Sequence, residues 1–362
     1  MTQPFRLSNL LSYGPLKIGK ALARLPIVQG GMGVGISLSS LATAVAVAGG
    51  IGVISAAFIG GTPRYRDRKI SHAEALKLDI GRAKAATDGV IGVNIMVALT
   101  DVDALAKAAD EAGADVIFAG AGLPLTLPNS VRRDSKTALV PIVSSAKAAK
   151  LLVKWWKDKY GRKPDGFVVE GPLAGGHLGF KPEQVDDPAY ALDALVTDVL
   201  EVAQPLDIPV IAAGGLFSGQ DVKQVLDLGA SGAQLGTRFV ATEECDAPAE
   251  FKEAYITCEP EDIAIVQSPV GMPGRAIKGE LVTKAAQGLM HPRRCRYQCI
   301  TTCKRLDSPY CIADALLTAL DGDTQNGLVF VGANGWRINE VSNVAGVMAA
   351  LDSEMGSGKD QA

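Results

Sequence analysis

The sequence predicts a (β/α)8 TIM barrel, an α/β fold, followed by a smaller unit of a different kind. Eight short apolar segments alternate with helical connectors over about 215 residues, the usual span of such a barrel. Glycines follow most of these segments, and sustained β-α alternation requires a parallel sheet. The rival fold is an open, doubly wound sheet. Residues 31–36, however, read Gly-Met-Gly-Val-Gly-Ile and lack the last glycine of a dinucleotide-binding fingerprint, which favours the closed barrel.

The predicted elements follow in order along the chain, with seven helical connectors between the eight strands. Asp101 and Ser218 are residue types that cap helix starts, and Gly113 and Gly229 stand where helices end. The predicted strands cover 26–29, 51–55, 91–96, 115–119, 138–143, 166–170, 208–213 and 232–235. The clearest helices cover 39–48, 71–86, 101–112, 146–159, 189–203 and 218–228.

After residue 240 the β-α alternation stops. Prolines, charges and most of the cysteines occupy 241–330, and a closing helix is predicted at 339–351. We therefore expect a cofactor-binding barrel at 1–240, a smaller lid or substrate domain with the cysteine cluster at 241–330, and a C-terminal helix within 331–362 that returns to the barrel.

The charge balance excludes some classes of partner. With 36 basic and 39 acidic residues in 362, nothing predicts binding to nucleic acid or to an anionic membrane. The uncharged stretch 25–63 is cut by glycines and serines, so it predicts a buried βαβ unit rather than a membrane span. No signal pattern precedes it, and we expect a cytoplasmic protein. A small-molecule substrate and a homodimer are the expected partners.

The loop after the sixth predicted strand concentrates functional signals. Gly175 and Gly176 remove side chains next to His177, so a flat ligand could approach the backbone while one imidazole faces it. The alternative is a flexible loop with a surface histidine. Glu170, just before this loop, is the main acidic candidate, either as an acid/base group or as a structural residue.

The other strand ends suit a phosphorylated, flat cofactor. Barrels often hold phosphate in the loops after strands seven and eight, where this chain has Gly214-Gly215 and Gly236-Thr237. Gly30, Gly31 and Met32 give bare backbone and a soft apolar side chain, and Asn94 can donate and accept hydrogen bonds. Together these ends predict FMN; the alternative is that the glycines only form tight turns.

Four motifs together resemble the nitronate monooxygenase family, formerly called 2-nitropropane dioxygenase, which is similar to flavin-dependent enoyl-acyl-carrier-protein reductases. They are residues 29–33, 174–177, 213–215 and 235–239, in the family's order. The resemblance implies an FMN barrel with a smaller substrate-binding domain. It implies that His177 is the catalytic acid or base, and that the flavin is lined by Met32, Asn94, Gly175, Gly176, Gly214, Gly215, Gly236 and Thr237.

Three functions follow as hypotheses. The first is an FMN-dependent oxidoreductase that oxidises alkyl nitronates or uses NAD(P)H to reduce an acceptor. The second is an NAD(P)H-dependent reductase of enoyl thioesters or quinones with an accessory iron–sulfur cluster. The third, from another class, is a flavin-free barrel lyase or isomerase that acts on a phosphorylated substrate.

Arg275 ends a Pro/Gly-rich loop that resembles the family's loop ahead of its substrate domain. A guanidinium there could neutralise an anionic substrate or a dinucleotide phosphate. The alternative is a surface arginine.

Four cysteines lie within 17 residues, at Cys295, Cys299, Cys303 and Cys311. Short cysteine spacing predicts a [4Fe–4S] cluster, a zinc ion or reduced thiols. Flanking basic residues are expected to lower the thiol pKa values. Cys245 and Cys258 stand alone and are predicted to be buried thiols.

Overall fold

The computed structural model describes residues 7–292 and 294–356. Residues 1–6 of the predicted barrel domain and 357–362 of the predicted closing segment lie outside the described residues. Its α-helices are α1 (Ser8–Ser12), α2 (Ser39–Ala48), α3 (His72–Ala86), α4 (Val102–Glu111), α5 (Ala146–Tyr160), α6 (Leu192–Ala203), α7 (Gly219–Asp227), α8 (Thr237–Val240), α9 (Ala249–Ile256), α10 (Glu280–Ala286), α11 (Ile312–Leu320) and α12 (Val344–Gly356). No helix among the described residues is long and apolar enough to cross a bilayer.

Eight strands close into a parallel barrel, which confirms the predicted fold class. Each strand pairs with the next along the chain, and the last pairs with the first, as in the register Leu235↔Gln29. The strands are β1 (Ile27–Gln29), β2 (Ile51–Ser55), β3 (Val90–Met96), β4 (Val116–Gly120), β5 (Ala138–Val143), β6 (Phe167–Glu170), β7 (Val210–Ala213) and β8 (Gly232–Leu235).

One predicted connector differs from the expectation of seven helices. Between β4 and β5 the chain forms only a short 3-10 turn, Leu127–Asn129, so six α-helices connect the eight strands between Ile27 and Leu235. Pro124 and Pro128 lie in this connector, and a proline in a helix interior removes a backbone hydrogen bond and clashes with the preceding turn.

Alternation along the strands divides the core into an inner and an outer part. Val53, Phe118 and Val168 pack inside the barrel, while their neighbours in sequence pack outward under the helices. A hairpin of Leu16–Ile18 and Ala21–Ala23, absent from the predicted elements, packs its buried residues into the inner cluster. This hairpin closes the N-terminal end of the barrel, because the Cβ position of Gly232, where β8 begins, lies 3.0 Å from Leu16. The ligand-accessible end is therefore the C-terminal one.

A small antiparallel sheet covers that C-terminal end. Strand Pro273–Ile277 pairs with Ile263–Gln267 on one side and with Gly176–His177 on the other, in the register Gly274↔His177. The segment predicted as a separate lid thus shares a sheet with the loop after β6. The predicted closing helix is α12, which returns to the barrel, where Glu354 accepts a 2.6 Å hydrogen bond from the Gly219 N–H of α7.

Candidate active site

A cavity of about 260 Å³ lies at the C-terminal mouth of the barrel, under the small sheet. It brings together His177 and all ten residues predicted to bind a cofactor. These are Gly30, Gly31, Met32, Asn94, Gly175, Gly176, Gly214, Gly215, Gly236 and Thr237. Arg275 and the four clustered cysteines are not among its lining residues. Among the residues that the structure describes, no lysine or arginine lines the cavity, and the titratable side chains that do are Glu170, His177 and Tyr255.

Polar side chains form the floor of this cavity. Ser55, Glu170 and Gln234 each occupy the last inward-facing position of a strand, and Asn94 lies one inward-facing position before the end of β3. All four line the cavity. Ser55 Oγ is fully buried and has no hydrogen-bond partner among residues 7–292 and 294–356. In that part of the chain, no other fully buried side-chain nitrogen or oxygen lacks a partner. Buried polar atoms almost always have partners, so a ligand group above the floor would complete this one.

The loop after β7 makes a close approach that requires glycine. Gly214 has a φ of +91°, and a Cβ there would lie 2.6 Å from the carbonyl oxygen of Gly171. The Asn334 side chain donates a 2.6 Å hydrogen bond to the Gly215 carbonyl. The backbone amides of this loop are thereby held at the cavity wall.

The C-terminal segment also reaches the loop after β8. The Gly332 N–H donates to Thr237 Oγ1 over 3.1 Å, which leaves the hydroxyl hydrogen of Thr237 for a ligand. Asn334 and Gly332 line the cavity, and the sequence prediction missed both. The local sequence, Gly-Ala-Asn-Gly at 332–335, indicates a tight turn but not a position at the cavity.

His177 is fixed by the small sheet and two neighbours. Its Nε2 lies 2.7 Å from Ser268 Oγ, and its ring meets Phe330 edge-on at 5.0 Å between centroids. Burial lowers the pKa of His177 to about 4, so the imidazole is neutral near pH 7. Because Ser268 engages one ring nitrogen, the other remains for a ligand, and the half-buried ring lines the cavity.

Arg275 is neither at the surface nor at the cavity. It is buried, and its Nη1 donates to the carbonyl oxygens of Pro172 (2.6 Å) and Ala174 (2.7 Å). The alternative of a surface arginine is therefore wrong. The geometry makes Arg275 a positioning residue that braces the loop leading to His177, and its role toward substrate stays an untested prediction.

The four cysteines lie near one another behind the cavity wall. Burial, followed by the influence of Cys311 and of the other two thiols, raises the pKa of Cys299 to about 12. Burial also raises the pKa of Cys311. The expectation that basic neighbours lower these thiol pKa values is wrong for both. Among the described residues, no group of three or more His, Cys, Asp or Glu side chains is placed to hold a metal ion.

The cysteine segment contacts the cavity through its apolar residues. Ile300 and Ile312, the sequence neighbours of Cys299 and Cys311, line the cavity, and Ile300 bridges to Leu99. The other two cysteines, Cys245 and Cys258, are buried, which confirms their prediction.

Comparison with known proteins identifies the family. The model of the nitronate monooxygenase family matches residues 15–113 and 100–354. This chain belongs to the nitronate monooxygenase family. It is therefore a family oxidoreductase on a TIM barrel, as its sequence motifs indicated.

Several members with curated names are similar over much of the chain. A Mycobacterium tuberculosis protein, named (3aS,4S,5R,7aS)-5-hydroxy-7a-methyl-1-oxo-octahydro-1H-indene-4-carboxyl-CoA dehydrogenase, is 30% identical over 73% of this chain and 66% of its own length. The Rhodococcus jostii protein of the same name is 29% identical over 71% of this chain and 64% of its own. The chain thus spans just under two thirds of the length of these relatives. A probable nitronate monooxygenase of Staphylococcus saprophyticus is 25% identical over 72% of this chain and 78% of its own.

Solved structures share the whole architecture. FabK from Thermotoga maritima aligns with a TM-score of 0.69 and 25% identity over 98% of this chain and 97% of its own. A nitroalkane oxidase from Streptomyces ansochromogenes aligns with a TM-score of 0.71 and 24% identity, over 92% of this chain and 96% of its own. The second likeness supports the fold alone.

Proposed function

We propose that this chain is an FMN-dependent oxidoreductase in which His177 is the substrate-side acid/base. The observation that carries the proposal is a single cavity that joins the glycine loops after β7 and β8, the polar floor and the imidazole. The flavin-free lyase or isomerase hypothesis has no comparable support, because the family of the chain consists of oxidoreductases.

The residues present fit FMN. Ser55 Oγ needs a partner, Thr237 has a hydroxyl hydrogen to donate, and Asn94 and Gln234 add amide groups at the floor. Backbone amides of the loops at 214–215 and 236–237 would hold the phosphate, and Met32 would pack on the ring. When bound, FMN supplies the electron or hydride transfer, while the chain supplies orientation and proton transfer.

His177 would work as a base near neutral pH. Its low pKa keeps the ring uncharged, so the ring nitrogen that does not contact Ser268 has one of two roles, set by the tautomer. Unprotonated, it can accept a proton from a substrate carbon; carrying the N–H, it can donate a hydrogen bond to a substrate carbonyl. Ser268 fixes the ring plane, and Arg275 holds the loop that carries it. Phe330 shields the ring from water on its other side.

We infer a thioester-activated acyl group as the substrate class. Within the described part of the chain, no cationic side chain lines the cavity wall, which is largely apolar and includes Met96, Ile142, Leu316 and Phe330. Such a wall suits a neutral carbonyl compound better than a small anion. The name of the Mycobacterium tuberculosis relative, a carboxyl-CoA dehydrogenase, contains an acyl-CoA thioester, which is a substrate of this class. A nitronate is the second candidate, favoured by the family name and by the staphylococcal relatives.

Anaerobic reduction tests the function. We expect NADH or NADPH to bleach the bound flavin and crotonyl thioester to restore its colour, with a quinone as the comparison acceptor. Rapid oxygen-dependent turnover of a nitronate without any reaction of the thioester would select the second candidate. Failure of every donor and acceptor would contradict an oxidoreductase.

We also propose that Cys295, Cys299, Cys303 and Cys311 would hold an iron–sulfur cluster, which would supply one-electron transfer beside the flavin site when bound. The support is the short spacing of the four cysteines in the sequence and the contact of Ile300 and Ile312 with the cavity. A cluster is larger than a single ion, so its ligands stand farther apart than the four sulfurs of a zinc site at about 2.3 Å from the metal.

A further inference from the structure

Glu170 lies at the end of β6 and has no part in the mechanism proposed above. Glu170 is the last residue of β6, two residues after Val168, which packs inside the barrel. Phe167 and Val169 point the other way, into the outer core. By alternation Glu170 faces inward and up, and it lines the cavity floor.

The carboxyl group of Glu170 has no protein partner. Among residues 7–292 and 294–356 no hydrogen bond or ion pair to its side chain occurs, and burial is the sole cause that raises its pKa, to about 7. A carboxyl turned into a ligand cavity without a partner is costly to keep unless it has a task there.

Few other charges face this group. Strands β5 and β7, on either side, carry no charged residue. The other titratable residues at the cavity are His177 and Tyr255, whose hydroxyl donates to the Phe330 carbonyl. On the outer side of β6, α6 carries Asp198 and Glu201, which are exposed, and Asp193, which accepts a hydrogen bond from Gln224. In the loop after β6, the carbonyl oxygens of Pro172 and Ala174 accept hydrogen bonds from the Arg275 guanidinium.

Glu170 and His177 occupy opposite sides of the cavity. Glu170 belongs to the barrel floor, where a flavin ring would rest, whereas His177 belongs to the sheet that covers the mouth. Burial shifts the two pKa values in opposite directions, since it raises the pKa of the Glu170 carboxyl and lowers the pKa of the His177 imidazole. Such a divided pair is a signature of assigned acid and base roles.

We propose that Glu170 is a second catalytic residue, which faces the flavin and takes up a proton each time the flavin is reduced. The inference rests on the proposed function, since it needs FMN in the cavity. Two electrons arrive from a nicotinamide donor or an electrode, one proton goes to the flavin ring, and a second, from solvent, forms the O–H bond of Glu170. Reoxidation removes the electrons and releases both protons. The coupling arises because negative charge on the reduced ring disfavours a carboxylate beside it.

The test is the pH dependence of the two-electron midpoint potential of bound FMN, measured from pH 6 to 10 in wild type and Glu170→Gln. Each proton taken up with two electrons changes the potential by about 30 mV per pH unit. Above about pH 7, where the oxidised state loses the Glu170 proton, the wild-type slope should be steeper than the Glu170→Gln slope by about 30 mV per pH unit, one proton per two electrons. Glu201→Gln, an exposed carboxylate on α6, should keep the wild-type slope.

A second measurement needs no variant. The reduced-minus-oxidised infrared spectrum of the wild-type protein at pH 8 should gain a carboxylic-acid C=O band. Equal slopes in wild type and Glu170→Gln, or no such band, would overturn the role of Glu170 while the flavin remains bound. Wild-type protein that binds no flavin at all would overturn the proposed function, and this inference with it.

Discussion

At the scale of single residues, His177 should be essential for turnover and dispensable for the cofactor. His177→Ala should lower kcat by about 10²–10⁴, the usual contribution of a general acid or base, while the protein keeps its FMN. The matched control is His291→Ala, an exposed histidine outside the cavity, which should leave kcat unchanged. Wild-type rates in His177→Ala would remove the imidazole from the mechanism.

The pKa of His177 sets the acidic limit of activity. A base works only when unprotonated, and burial lowers this pKa from its usual 6.5 to about 4. In Glu170→Gln, which lacks the cavity carboxyl with a pKa of about 7, we therefore expect kcat/KM to stay level as pH falls through 6.5 and to drop only near pH 4, because kcat/KM reports the free enzyme. An acidic limb centred near pH 6.5 would show that the ring is solvated, contrary to its position under Phe330.

Arg275 should stabilise the fold rather than bind substrate directly. Arg275→Met leaves the carbonyls of Pro172 and Ala174 without their buried donor, which should cost about 2–4 kcal/mol of unfolding free energy. Urea denaturation of the flavin-free protein measures this loss, with the exposed Arg133→Met as the control. Unchanged stability combined with a raised KM would instead favour the original prediction of a substrate contact.

Sequence patterns predicted many residues that line the cavity, but not every contact that requires those residue types. Gly175 was expected to leave room for a ligand, yet a Cβ there would lie 2.6 Å from the backbone of Val331. The glycine thus also allows a close contact with a segment more than 150 positions away, which no local pattern reveals. Ser268 as the partner of His177 was missed for the same reason.

At the scale of elements, the periodicity of apolar residues predicted the strands of the barrel but not those of the small sheet that covers it. The strands β2, β5 and β8 have the predicted bounds, because each is a short apolar run closed by a turn residue. The sheet formed by Gly176–His177, Ile263–Gln267 and Pro273–Ile277 was missed. Its strands lack a clear apolar alternation and are stabilised by pairing with one another, which is a tertiary effect.

For the cysteine segment, residues 295–311, the proposed iron–sulfur cluster predicts a measurable iron and sulfide content. Protein purified without oxygen should contain about four iron and four sulfide per chain if all four cysteines ligate a [4Fe–4S] cluster. Cys299→Ser should lose the iron, and Cys258→Ser, which changes a buried cysteine outside the segment, should retain it. Protein with flavin and neither iron nor zinc would leave the four cysteines as reduced thiols.

At the scale of the whole molecule, closure of the barrel makes a single site. The hairpin at residues 16–23 closes the N-terminal end of the barrel. Because the eight strands are parallel, their C-terminal ends all lie at the open end. The small sheet then covers that mouth and places His177 opposite Glu170. The order of the strands was predictable from β-α alternation, whereas the covering sheet depends on contacts between distant segments.

The central claim is that this mouth holds FMN, and the most direct measurement is the flavin content of the purified protein. We expect about one FMN per chain in the wild type, released on denaturation and identified by chromatography. Gly214→Val should lose most of it, because a side chain there meets the Gly171 backbone and displaces the loop after β7. Wild-type protein that stays colourless after incubation with excess FMN would contradict the claim.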